Sequence, residues 1–132
     1  MQLNDGRVVT NLIVQALNDE DLTIYGDGSQ TRSFSYVSDT VAGIIAMMES
    51  NHYEVFNIGN PYEMTVKELA ETILKLTNSK SEIVYKPLPN DDPQQRRPDI
   101  SKAKEKLNWE PKVGLETGLN TTIEWIKKEL SK

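Results

Sequence analysis

A β-prone run, Leu22-Thr23-Ile24-Tyr25, stops at Gly26-Asp27-Gly28, and this turn constrains the fold more than any other stretch of the chain. Glycines at alternate positions let the backbone take positive φ or come close to another group. The chain is redirected at once, through Ser29-Gln30-Thr31-Arg32, into a segment that alternates aromatic and small polar residues, Ser33-Phe34-Ser35-Tyr36-Val37-Ser38-Asp39. Arg32 gives this loop a planar fork of donors suited to phosphate or carboxylate. The stretch therefore reads as a ligand-facing loop whose target is an anion.

Around the turn, helical and strand-like patterns alternate. After Asn4-Asp5-Gly6, the apolar residues Val8, Val9, Leu12, Ile13, Ala16 and Leu17 recur at helical spacing, with Asp5 placed to cap the helix. Ser38 or Asp39 opens a second helix, whose inward face is expected to hold Val41, Ile44, Ile45 and Met48, with Gly43 admitting a close neighbour. Val55-Phe56-Asn57-Ile58 is expected as a short strand, ended by Gly59-Asn60-Pro61. Thr65 and Glu68 have the spacing of a capping box, and Leu69, Ile73, Leu74 and Leu76 continue that helical face. Glu82-Ile83-Val84-Tyr85 predicts a further strand, and Pro87 to Pro98 a polar loop. Ser101 to Leu107 predicts a short helix. Trp109-Glu110-Pro111 breaks it before a last helix striped by Leu115, Leu119, Ile123, Ile126 and Leu130. Phe34 and Tyr36 are expected to pack the loop onto the core, and Trp109 to plug the gap between the terminal helices.

This alternation predicts an α/β fold, or α+β if the piece stands alone. Three short strands make a thin sheet for independent stability. The expectation is a single domain, residues 1–132, that forms the C-terminal part of a larger protein.

Charge and composition exclude several functions. With 15 Lys and Arg against 20 Asp and Glu, the net charge of -5 is wrong for a general nucleic-acid binder. The chain has no cysteine, hence no disulfide framework or thiolate metal site, and it suits a reducing cytoplasm. His52 is the only histidine and reads as a surface residue; Asp91-Asp92 and Asp19-Glu20-Asp21 lack the alternation of a calcium loop. No metal site is expected. No apolar run approaches the roughly 20 residues needed to span a bilayer, so no membrane association is expected.

Taken in order, Asn4-Asp5-Gly6-Arg7-Val8-Val9-Thr10-Asn11, the Leu22 to Arg32 run and Phe34-Ser35-Tyr36-Val37-Ser38-Asp39 resemble the extended short-chain dehydrogenase/reductase family, sugar-nucleotide branch. Phe56-Asn57-Ile58-Gly59-Asn60-Pro61, the run from Asp91 to Ile100 and Leu107-Asn108-Trp109-Glu110-Pro111 are similar to the C-terminal part of its UDP-glucuronate decarboxylases. The resemblance implies a Rossmann-fold enzyme that binds NAD through an N-terminal glycine-rich loop and uses a Tyr-x-x-x-Lys pair. Neither motif is present: Ser29, Thr40, Asn57, Val66 and Pro89 stand four positions after Tyr25, Tyr36, Tyr53, Tyr62 and Tyr85. No catalytic residue is therefore expected in this chain, and by itself it should be inactive. The activity implied for the whole protein is oxidation of UDP-glucuronate at C4 with NAD, loss of CO2 and re-reduction to UDP-xylose, carried out by a homodimer. Related dTDP-glucose 4,6-dehydratases and nucleotide-sugar epimerases share the plan, and a non-catalytic self-associating module is the alternative of another class.

By this resemblance, Arg32 and Arg96 face the diphosphate of the sugar nucleotide, and Arg7 approaches cofactor or sugar phosphate. The bland reading of Arg7 is an ion pair with Asp5. Tyr25 offers a ring face to uracil, or simply packs. Gln30 can hydrogen-bond ribose or phosphate. Asn57, an amide in an apolar strand, must find either backbone or ligand ribose.

Overall fold

The computed structural model describes residues 7–87 and 98–131. Helix α1 (Val8–Leu17) forms as its apolar periodicity predicts and buries Leu12, Ile13 and Ala16. Its N-cap is Arg7, in extended backbone and without a side-chain cap; Asp5 lies outside the described residues. Strand β1 (Leu22–Tyr25) pairs in parallel with β4 (Ile83–Lys86), in a register running from Leu22 opposite Ile83 to Tyr25 opposite Lys86. A parallel pair needs a long crossover. Here the crossover contains α3 (Val66–Thr77), whose Val66, Leu69, Ala70 and Ile73 meet α1 and the last helix, α5 (Leu115–Leu130), in the main core.

Helix α3 is anchored at both ends by local chemistry. Thr65 Oγ1 accepts the Glu68 amide at 3.0 Å, and Glu68 Oε1 accepts the Thr65 amide at 3.3 Å, the reciprocal bonds expected of a capping box. Asn78 ends the helix in the left-handed conformation. On α5 the expected stripe is buried at Leu119, Ile123 and Ile126, whereas Leu130 is exposed. Strand β2 (Thr31–Arg32) pairs antiparallel with β3 (Met64–Thr65), a ladder too short to leave a periodicity in the sequence.

A second, smaller apolar cluster lies between α2 (Val37–Glu49) and α4 (Ser101–Leu107). Ile100, Ala103 and Trp109 are its buried members, with Phe56, Ile58 and Leu107 packed against them. Trp109 thus plugs the gap between α2 and α4 rather than between the terminal helices.

Two expectations fail here. Val41, Ile44, Ile45 and Met48 do not face inward but are exposed, Met48 at 79%. The residues that α2 buries are Gly43, whose missing side chain admits Ile58 and Trp109, and Asp39, which accepts hydrogen bonds from Trp109, Lys112 and Val113. Val55-Phe56-Asn57-Ile58 is not a strand, since among the described residues no strand lies alongside to complete a ladder. Side chains hold it in place instead. Lys106 Nζ donates to Glu54 at 2.6 Å, Lys102 Nζ donates to the Val55 carbonyl at 3.3 Å, and Asn57 Nδ2 donates to the Asp99 carbonyl at 3.4 Å. Ile58 is half-buried in the smaller cluster. Among the described residues no helix is long and apolar enough to cross a membrane.

Gly43 shows how tightly the smaller cluster is closed. A Cβ there would lie 2.6 Å from Ile58 Cγ2 and 3.2 Å from Trp109 Cε2, and a β-branched isoleucine has little rotamer freedom with which to yield. Gly43→Ala is expected to destabilise the protein by about 1–3 kcal/mol through overpacking, against a gain of about 1 kcal/mol in helix propensity. Urea denaturation checks the net loss of up to about 2 kcal/mol, and a variant more stable than the wild type would refute it.

Candidate functional site

The glycine turn after β1 is stitched to the start of α3. Gly26 and Gly28 take φ of 83° and 82°, as the sequence requires. The first amides of a helix have no partner within it. Here Val66 N donates to the Gln30 carbonyl at 3.0 Å and Lys67 N to the Gly28 carbonyl at 3.2 Å. A Cβ at Gly28 would stand 3.0 Å from Lys67 Cβ, so the close approach this glycine permits is made to α3. Gln30 is buried, and its Nε2 donates to the Tyr25 carbonyl at 2.6 Å, bridging the two ends of the turn. Tyr25 itself is half exposed at the end of β1.

From this rigid base the chain passes through Arg32 into the wall of a cleft. Arg32 is half-buried, and its Nη1 donates to the Thr31 carbonyl at 2.7 Å, which fixes the direction of the guanidinium. Ser33, Phe34, Ser35, Tyr36 and Val37 follow and line one side of a cleft of about 720 Å³. Asn60 Nδ2 pins that wall by donating to the Phe34 carbonyl at 3.1 Å. The opposite wall is Val113, Gly114, Leu115 and the first turns of α5, and Arg7 and Val8 stand at the rim. The two walls meet where the Tyr36 ring seats on Gly118, at which a Cβ would lie 3.0 Å from Tyr36 Cδ1.

The cleft's chemistry is mixed in a useful way. Phe34, Tyr36 and Trp125 supply ring faces, Ser33, Ser35, Thr121 and Thr122 supply hydroxyls, and Arg7 supplies a cation. A mainly apolar hollow with a few placed polar groups is the usual form of a small-molecule site. Of the residues singled out in the sequence, Arg7 lines the cleft, and Arg32 directly precedes its wall. Tyr25 and Gln30 belong to the turn behind it. Asn57 is exposed and bonded to the Asp99 carbonyl, away from the cleft lining. Arg96 and Asp91-Asp92 lie outside the described residues. Sequence reasoning missed Thr121, Thr122 and Trp125; the signal available was Gly118, a glycine inside a helix, which marks close approach of another group. His52 is on the surface, 3.7 Å from Glu54, and among the described residues no group of three His, Cys, Asp or Glu could hold a metal ion.

Asp27 braces the tip of the turn. Its Oδ1 accepts both the Ser29 hydroxyl at 2.5 Å and the Ser29 amide at 2.9 Å. The Ser29 hydroxyl bond, followed by the Ser29 amide bond, holds the carboxyl below its ordinary 3.8. A lowered pKa in the folded state means the brace is complete above the ordinary value and is lost as pH falls through the lowered one. The Ser29 amide resonance should therefore titrate with a midpoint below 3.8, and a midpoint at or above that value would show the brace to be absent.

Residues 4–122 match the family model described as GDP-mannose 4,6 dehydratase. UDP-glucuronic acid decarboxylase 1 of Danio rerio is 55% identical over 130 residues, which are 98% of this chain and 31% of that protein. UDP-glucuronic acid decarboxylase 3 of Arabidopsis thaliana is 57% identical over 119 residues, 90% of this chain and 35% of that one. The chain thus spans about a third of the length of the curated relatives it matches. Among solved structures, UDP-glucose 4-epimerase of Thermotoga maritima, with UDP-glucose, superposes with a TM-score of 0.90 at 41% identity, covering 94% of this chain and 40% of that one. UDP-glucuronic acid 4-epimerase of Bacillus cereus, in complex with UDP-glucuronic acid and NAD, gives a TM-score of 0.88 at 32% identity, covering 94% and 40%. Matched over residues 4–122, which is most of its length, the chain belongs to the GDP-mannose 4,6 dehydratase family of the extended short-chain dehydrogenases/reductases.

Proposed function

We propose that this chain is the sugar-nucleotide-binding C-terminal part of an NAD-dependent enzyme that converts UDP-glucuronate to UDP-xylose and CO2. The observation that carries the reading is identity of 55% to a UDP-glucuronic acid decarboxylase across 98% of the chain. The geometry is consistent with it: a cleft lined by aromatic rings, hydroxyls and the cation Arg7 suits a ligand with an anionic diphosphate, a ring base and a sugar. In this reading Arg32 and Arg96 hold the diphosphate, Arg7 stands near cofactor or sugar phosphate, Tyr25 supports the nucleotide end, and Gln30 and Asn57 act through the backbone they hold, the glycine turn and the Asp99 carbonyl.

The residues of this chain do not fit a dinucleotide site of their own. The glycine turn leads from β1 into β2 and not directly into a helix, and the α3 amides it meets are taken by the Gln30 and Gly28 carbonyls, so the turn does not present a free helix N-terminus to a pyrophosphate. NAD is accordingly assigned to the preceding part of the longer protein, together with the acid–base and hydride chemistry. We read that protein as a homodimer on the family resemblance, and as cytoplasmic on the absence of cysteine.

The epimerase alternative draws on the superpositions with UDP-sugar 4-epimerases, whose identity of 41% and 32% is lower than that of the decarboxylases. The self-associating alternative draws on the exposed Val41, Ile44 and Val55; sedimentation as a monomer over a wide concentration range would dismiss it. In the full-length protein, Arg32→Ala should weaken UDP-glucuronate binding roughly tenfold or more, the effect of losing a hydrogen bond to a charged group of about 1.5–3 kcal/mol. Unchanged affinity in calorimetry would remove Arg32 from the site. Release of CO2 from UDP-glucuronate separates the decarboxylase from the epimerase, which would return a UDP-hexuronate and no gas.

A further inference from the structure

Asp39 lies outside the lining of the cleft, yet it ties both walls together. The residue is 6% exposed. Oδ1 accepts the Lys112 amide at 3.1 Å and Oδ2 accepts the Val113 amide at 3.0 Å, while the Asp39 carbonyl accepts the indole N–H of buried Trp109 at 3.0 Å. All three bonds reach the segment that leads into α5. On its other side, Asp39 is in the first turn of α2, and its own amide donates to the Tyr36 carbonyl at 3.0 Å. Tyr36 belongs to one wall and Val113 to the other.

From this geometry we propose that Asp39 is a positioning residue, which sets the separation of Ser33–Val37 from Val113–Leu115 and so holds the cleft open at a fixed width before a ligand arrives. The chemistry favours a carboxylate here. It offers acceptors on both oxygens, whereas an asparagine would offer one acceptor and turn an N–H against the second backbone N–H. An acceptor that is both charged and buried also makes stronger bonds to amides than a neutral one. The effect on substrate rests on the cleft's being the sugar-nucleotide site, as proposed above; the effect on the walls does not.

The test compares wild-type and Asp39→Asn full-length protein by amide hydrogen exchange and by steady-state turnover of UDP-glucuronate. Exchange at Lys112 and Val113 should quicken roughly tenfold, the effect of losing one charge-assisted bond, while amides of α3 and β1 keep wild-type protection. KM for UDP-glucuronate should rise by a similar factor, with a smaller fall in kcat. Unchanged exchange at Lys112 and Val113 would overturn the proposal, as would quickening spread evenly over α3 and β1; local loosening that leaves KM unaltered would uphold the clamp and remove the cleft from the substrate site. Should Asp39→Asn fail to fold, Lys112→Pro removes one donor and leaves the carboxylate, and quickened exchange at Val113 with a raised KM is expected; wild-type values of both would overturn the proposal. Wild-type protein that neither binds nor turns over UDP-glucuronate would contradict the proposed function, and exchange at Lys112 and Val113 would then decide for or against the clamp by itself.

Discussion

Both oxygens of Asp39 accept backbone amides from a segment 73 and 74 residues further along the chain, and its carbonyl accepts an indole N–H from the same segment. This joint lies between the molecule's two apolar bodies. One is the α1, α3 and α5 core with β1; the other is the small cluster of Ile100, Ala103 and Trp109 beneath α2 and α4. Burying a carboxylate is costly unless its oxygens are bonded. Here those bonds come from amides that lead directly into α5. Tyr36 on one side of the cleft and Val113 on the other are the residues this joint ties together, so the cleft's shape depends on it.

Close approach, made possible by missing side chains, does the rest. Gly28 admits Lys67, Gly43 admits Ile58 and Trp109, and Gly118 admits Tyr36. The first of these contacts places the glycine turn on the N-terminus of α3, where its carbonyls satisfy helix amides that would otherwise lack partners. The turn is thereby rigid without a ligand. Under the proposed function, Arg32 and the aromatic wall that follows start from this bonded turn, which would lower the ordering cost of binding.

Much of this was legible in the sequence where the signal is local. The Thr65–Glu68 capping box, the apolar face of α1 and the positive-φ glycines depend on near neighbours, and each formed as expected. Where a distant partner decides the outcome, the sequence was silent or misleading. The apolar residues of α2 mark a face suited to burial but not what lies opposite, and among the described residues Val41, Ile44 and Ile45 have little covering them. Val55–Ile58 has strand-like composition without a ladder. The site followed the same rule. Arg32 stood out by residue type beside its glycine turn and Arg7 by family resemblance, whereas the Gln30 bridge within the turn and the Asp39 joint leave no pattern in the sequence.

A crystal structure of the full-length protein with UDP-glucuronate bound tests the account most directly. It predicts the diphosphate within hydrogen-bond distance of the Arg32 guanidinium, with the rest of the ligand against Ser33–Val37. A ligand bound elsewhere, with Arg32 directed away from it and the cleft empty, would contradict the account.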